Sequence, residues 1–326
     1  MTTYRAPVAD MKFLLRHVFR AEEMFATMPD TNEVNDELIT AILAEAGKLI
    51  EGLVAPINQS GDQQGCKLEN GVVTTPAGFK QAFAAWAAGG WSGLIGSVDF
   101  GGQGMPKVLS ALIEEMNFGA NSSFALYTIL PTGVTLTLNQ HGSEQLKQTY
   151  LPKLYAGTWS GTMCLTEPHA GTDLGMIHSR AVPSADGSYR VSGTKIFITA
   201  GEHDLTENIV HLVLAKLPDA QAGPRGISLF LVPKLLVDVA GNLTGETNNV
   251  TCGSIERKMG IKASATCVMN FEDSQGYLVG ELNNGLSNMF TMMNHERLSM
   301  GLQGNGLAES SYQIAAEYAK ERLQGR

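Results

Sequence analysis

The sequence predicts an α+β protein: an N-terminal helical domain, a middle antiparallel β-barrel-like domain and the first helices of a C-terminal helical bundle. Three observations carry this reading. Apolar residues recur at helical spacing through the first half, short β-branched and aromatic runs separated by Gly, Asp and Pro fill 160–275, and the helical period returns after Gly285. At 326 residues and 44% hydrophobic content, the chain can bury more than one core.

Residues 1–35 read as an N-terminal helical extension. Phe13, Leu14, Val18, Phe19 and Phe25 outline one short amphipathic helix, and Met28-Pro29-Asp30 reads as a break. The helical domain is expected over 36–159. Its clearest helix carries Leu38, Ile39, Ile42, Leu43, Ala46, Leu49, Ile50 and Leu53 on one stripe, with Asp36 as the expected N-cap and Pro56 beyond the end. Further helical patterns over 76–157 are punctuated by Gly89-Gly90, by the run from Phe100 to Pro106, and by Leu151-Pro152.

The β domain is expected over 160–275, with strand-like runs at 189–199, 209–215, 227–232 and 266–271. A partial C-terminal helical domain follows over 280–326, first through Met289, Met293, Leu298 and Leu302, then through Leu307, Ile314 and Tyr318. Its amphipathic pattern persists to the last residues, and an apolar helix face requires a partner. The expectation is therefore a longer parent protein, or a tight dimer that covers this face.

A net charge of -9 argues against a nucleic-acid partner or an anionic membrane surface, so any phosphate-rich ligand must meet a local site. Arg5, Lys12, Arg16 and Arg20 interrupt the first apolar residues, unlike a signal peptide, and no apolar run is long enough for stable membrane insertion. Cys66, Cys164, Cys252 and Cys267 lack metal-ligand or CxxC spacing, so no metal site is expected. The default reading is a reduced, cytoplasmic protein.

The most specific segment is Met163-Cys164-Leu165-Thr166-Glu167-Pro168-His169-Ala170-Gly171-Thr172-Asp173. Chemically it is a strand end entering a turn, where Ala170-Gly171 permit close backbone approach and Thr166, Thr172 and Asp173 supply hydroxyls or local caps. On spacing alone, an Asx or ST turn closing a loop is the better account. The glycines at 101–104 lack the Lys-Ser/Thr of a P-loop and the strand-to-helix setting of a dinucleotide fold.

This segment resembles the Leu-Thr-Glu-Pro-x-x-Gly-Thr/Ser-Asp signature of the FAD-dependent acyl-CoA dehydrogenases. Farther along, Gly193-Thr194-Lys195-Ile196-Phe197-Ile198-Thr199-Ala200-Gly201 resembles the second flavin segment of that family, at the expected separation. Gly101-Gly102-Gln103-Gly104 and Tyr150-Leu151-Pro152-Lys153-Leu154 match further landmarks. The likeness runs from about residue 38, and it is closest to a subfamily with an extra N-terminal helix and a longer C-terminal region.

The resemblance implies FAD as cofactor. Leu165 would give backbone contacts to the ring, Thr166 would bond the pyrimidine edge of the flavin, and Thr199 would lie near its N5. Gly171 and Thr172 would approach the FAD diphosphate or the substrate path. Phe197 would pack on the isoalloxazine where many relatives carry Trp, keeping the stacking surface but losing an N–H donor. Met176 replaces a small residue usual at the end of the signature. Arg297, within Asn294-His295-Glu296-Arg297, would lie near the substrate and the base, and Arg322 would reach the FAD of an adjacent subunit.

The implied reaction is α,β-dehydrogenation of an acyl-CoA thioester to the trans-2-enoyl-CoA, with electrons passed to an electron-transferring flavoprotein by a homo-oligomer, dimer or tetramer. It needs a carboxylate for the α-proton, donors for the thioester oxygen and the flavin as electron sink. In most relatives the base is a Glu on a later helix of the C-terminal bundle, beyond Arg326, so this chain is expected to lack normal turnover. Glu167 is given a structural place by the resemblance, and Glu296 is expected to pair with Arg297, which would make it a weak base. Two other functions remain open at this point, a non-catalytic acyl-CoA or protein-binding module and an acyl-CoA oxidase.

Overall fold

The computed structural model describes residues 4–31 and 33–325. Helix α1 (Val8–Phe13) widens into a π-type turn (Leu14–Val18), and Arg20, at φ +51°, separates it from α2 (Ala21–Phe25). The single helix expected here is therefore two, because a left-handed residue cannot continue a right-handed helix. Helix α3 (Asp36–Leu49) is capped by Asn35, whose side chain accepts from the Leu38 N–H at 3.0 Å. Asp36, the expected cap, is instead the first helical residue, where its charge suits the helix N-terminus and meets Arg16 at 2.6 Å. The apolar stripe buries Ile39, Leu43 and Ala46 and runs on through a wider segment (Ile50–Val54).

Helix α4 (Asn58–Gln64), the hairpin β1 (Lys67–Glu69) and β2 (Val72–Thr74), and α5 (Phe79–Ala88) lead to α6 (Lys107–His141). The glycine run at 101–104 is stitched to 93–97 by backbone bonds such as Gly102 N–H to Ser97 O at 2.8 Å. A side chain on Gly102 would collide with the Gly96 backbone at 2.2 Å, so its role here is close packing. Asn121 breaks α6 with non-helical backbone and re-caps its second half, its Oδ1 accepting from the Phe124 N–H at 3.1 Å. Helix α7 (Glu144–Tyr155) then returns the chain to the sheet.

The β domain comprises β3 (Trp159–Cys164), β4 (Arg180–Pro183), β5 (Tyr189–Thr199), β6 (Asn208–Lys216), β7 (Ile227–Pro233), β8 (Leu235–Val237), β9 (Leu243–Thr247), β10 (Val250–Ile255) and β11 (Thr266–Leu278). Strand β7 pairs with both β6 and β11, β11 with β5, β5 with β4, and β4 touches β6, so five strands close into a ring. Closure leaves fewer open edges. Pairing within it is mostly antiparallel, but β3 lies parallel to β6, with β4 and β5 intervening in sequence between them. Strands β6 and β7 are buried almost throughout, packed on the barrel core of Val191, Val213, Phe230, Val232 and Met269 on one side and on the helices on the other.

Both C-terminal stripes lie on one helix, α8 (Gly285–Glu321), which packs along α6. The helices approach closely at Gly119 and Gly306, where a Cβ on Gly306 would meet the Glu115 carbonyl at 2.5 Å. Toward its end Tyr312, Ile314 and Tyr318 are exposed. Among the described residues, no helix is long and apolar enough to cross a membrane, and no group of His, Cys, Asp and Glu could hold a metal ion.

Candidate functional site

The two sequence segments singled out above meet at the end of β3. Strand β3 delivers Leu165, Thr166 and Glu167, and the Ile196 N–H of β5 donates to the Thr166 carbonyl at 2.9 Å. Lys195 fixes this junction from beneath: its Nζ donates to Leu165 O at 2.9 Å and to Glu167 Oε1 at 2.8 Å. Both side chains are buried, and Glu167 also accepts from the backbone N–H groups of His178 and Ser179 and from Ser179 Oγ. Burial alone would raise the Glu167 pKa, but the Lys195 charge and these donors hold it down to about 2. It is a fully committed anion, so its place is structural.

The loop after Glu167 folds back on itself. Glu167 and Ala170 exchange backbone hydrogen bonds, Asp173 Oδ1 accepts from the Gly175 N–H at 2.9 Å, and His169 stacks on His178 with ring centroids 3.9 Å apart. Gly171 and Thr172 sit on its exposed outer side.

Phe197 is 59% exposed and adopts φ +60°, an unusual conformation for an aromatic residue. It is not a core strand aromatic. Phe197 follows Ile196, whose N–H donates to the Thr166 carbonyl, and Thr199 ends the same strand. An exposed aromatic ring thus stands beside a backbone junction locked by a buried ion pair.

Arg297 and Arg322 do not join this junction. Arg297 is exposed, lies over Phe290 at 5.1 Å, and donates to Asn294 Oδ1 at 2.9 Å. The expected pairing with Glu296 is absent, and the inference of a weak base fails with it. Glu296 turns inward instead: burial, then the nearby charge of Glu114, raise its pKa to about 8. Arg322 is exposed near the end of α8, its Nη1 donating to Tyr318 Oη at 3.1 Å.

Sequence reasoning missed Lys195 as the residue that locks the junction. The signal was present, since a lysine at a buried strand position demands a partner. It also missed Glu114, 8% exposed, whose oxygens accept from Ser110 and Ser299 at 2.8 and 2.7 Å. Nothing local marks that residue, because Ser299 lies on another helix.

The helical region and the barrel carry the architecture of a known class. Residues 35–158 match the model of the acyl-CoA dehydrogenase N-terminal domain, and 162–274 match that of the middle domain. The chain belongs to the acyl-CoA dehydrogenase family. A 3-methylmercaptopropionyl-CoA dehydrogenase from Ruegeria pomeroyi is 46% identical over 324 residues, covering 99% of this chain and 55% of that protein. A butyryl-CoA dehydrogenase from Syntrophomonas wolfei is 36% identical over 98% of this chain and 54% of its own length. The chain thus spans about half the length of these curated relatives. Among solved structures, an acyl-CoA dehydrogenase complexed with FAD from Bacillus anthracis superposes with a TM-score of 0.74 at 27% identity, over 90% of this chain and 46% of that one.

Proposed function

We propose that this chain forms the flavin-facing part of an FAD-dependent enzyme that oxidises an acyl-CoA thioester to the trans-2-enoyl-CoA. The observation that carries the reading is the bond from the Ile196 N–H to the Thr166 carbonyl, which joins the two segments that resemble the flavin motifs. Membership of the family and the FAD complex of the Bacillus anthracis relative support it.

Thr166 and the Leu165 backbone would hold the polar edge of the flavin, Thr199 and Phe197 would contact its ring, and Gly171 and Thr172 would approach the diphosphate or the substrate path. FAD, when bound, supplies the electron sink for α,β-oxidation. The chain's own contribution is a rigid platform: Lys195 and Glu167 fix the backbone at Thr166, so little reorganisation accompanies binding. Arg297 supports the substrate side, and Arg322 reaches toward a neighbouring subunit of a dimer or tetramer. The protein is cytoplasmic and passes electrons to an electron-transferring flavoprotein.

The α-proton is taken by a carboxylate outside residues 1–326, on a later helix of the C-terminal bundle. Incubating this chain with FAD, a short acyl-CoA and an artificial electron acceptor tests that assignment. No turnover is expected from residues 1–326, against rapid flavin bleaching in a protein of the relatives' full length. Robust turnover by residues 1–326 would overturn the placement of the base.

A further inference from the structure

Strand β5 ends at Thr199, and part of what fixes that end lies in the helical domain. Thr199 stands opposite Thr266 of β11, and the next residue, Ala200, donates its N–H to the Ala265 carbonyl at 2.8 Å. Ala200 adopts φ +53°, a left-handed conformation that a residue with a side chain keeps only where its surroundings over-determine it. It is buried in the apolar core of the helical domain, with Ala263, Phe79, Phe124 and Tyr127.

Tyr127, on the second half of α6, brings a polar group into this core. Its ring is buried, edge-on to Phe79 and His203 with centroids 6.4 and 5.3 Å away. Its hydroxyl accepts from the Ala265 N–H at 3.0 Å and donates to the Ala263 carbonyl at 3.1 Å. Burial pushes the phenol well above its ordinary range, so it keeps its proton and plays both parts. Ala265 is therefore held at its N–H by Tyr127 and at its carbonyl by Ala200, the neighbour of Thr199.

We propose that Tyr127 is a positioning residue for the flavin contact at Thr199: its hydroxyl, acting through Ala265 and Ala200, sets where the end of β5 stands against the ring. Phenylalanine in its place keeps the ring packing and removes the hydroxyl alone, which leaves the buried Ala265 N–H without that acceptor. Ala200 then loses support for its left-handed backbone, and Thr199 shifts with it. Hydrogen bonds weaken steeply with misalignment, so a small displacement at Thr199 is enough to alter flavin binding.

This inference rests on the flavin-facing reading above, and its test separates the two. FAD is titrated into wild type, Tyr127→Phe and Gly306→Ala, followed by the visible flavin spectrum, and amide hydrogen exchange is recorded with and without FAD. Tyr127→Phe should bind FAD about tenfold more weakly and shift the bound flavin band, as the loss of an acceptor for one buried N–H implies. Gly306→Ala, which disturbs packing at the α6 and α8 crossing, should bind FAD as wild type does and with the same spectrum. Coupling is reciprocal, so bound FAD should also slow exchange of the Ala265 amide in wild type, and this measurement decides even if Tyr127→Phe fails to fold. Unchanged affinity and spectrum in Tyr127→Phe, equal weakening in Gly306→Ala, or an Ala265 amide indifferent to FAD would each overturn the positioning role while leaving the flavin site standing. Failure of wild type to bind FAD would overturn the flavin site itself, and this inference with it.

Discussion

Lys195 Nζ lies 2.8 Å from Glu167 Oε1 with both side chains buried, and the same ammonium holds the Leu165 carbonyl at 2.9 Å. One buried charge thus joins the end of β3 to β5. Removing one partner strands the other away from water, which costs far more than the pair itself contributes. Lys195→Met should therefore lower unfolding stability by about 3–5 kcal/mol. The double variant Lys195→Met/Glu167→Gln should recover part of that loss. Urea unfolding checks this, and a single variant with the wild-type midpoint would refute it.

The same pair sets an acid limit. Glu167 titrates at about 2 when folded, below its ordinary value of 4.5. A depressed carboxyl pKa gives stability that is present above the unfolded value and lost as pH falls through the folded one. The stability difference between wild type and Glu167→Gln should shrink as pH drops from about 4.5 toward 2. A difference independent of pH over that window would exclude this linkage.

Glu296 should act in the opposite sense. Its folded pKa is raised to about 8 by burial and then by Glu114. The native state therefore retains a proton that the unfolded chain releases, and stability falls as pH rises from about 4.5 to 8. Glu296→Gln should remove this decline, gaining at most about 5 kcal/mol at pH 9 relative to wild type. Parallel curves for the two proteins would contradict the raised pKa.

At Phe197 the backbone and the ring make separate predictions. The φ of +60° strains any residue with a side chain, whereas glycine adopts it freely. Phe197→Gly should unfold at equal or higher denaturant, by up to about 1 kcal/mol, yet bind FAD several-fold more weakly. A variant that loses stability and keeps FAD affinity would reverse both assignments.

The α6 and α8 crossing tests packing. A Cβ at Gly306 would stand 2.5 Å from the Glu115 carbonyl and 2.8 Å from the Gly119 N. Because both obstacles are backbone, Gly306→Ala should cost about 1–3 kcal/mol. Thermal unfolding unchanged by the substitution would show that the helices can separate freely.

The sequence made the order of elements legible because periodicity reports burial directly: the α3 stripe and the strand runs lie where their patterns put them. The misplaced cap shows the limit, since Asn35 and Asp36 are both good caps and only the backbone at Asn35 decides between them. The motifs at Leu165–Thr166 and Phe197–Thr199 stood out through resemblance, but their meeting did not, because it runs through the single Ile196 N–H to Thr166 carbonyl bond beyond the end of β3, between strands that are not sheet neighbours. The Glu296 environment was not legible. Sequence adjacency to Arg297 argued for an ion pair, but neighbours on a helix point about 100° apart, and only one of the two faces α6.

The central claim is that Thr166, Phe197 and Thr199 form one flavin-facing rim. Titration of FAD into residues 1–326, followed by the visible flavin spectrum, tests it most directly. The account predicts a perturbed isoalloxazine band that saturates in wild type, and at least tenfold weaker binding in Thr166→Ala/Thr199→Ala. An unperturbed spectrum at every FAD concentration, or equal binding by the double variant, would contradict it.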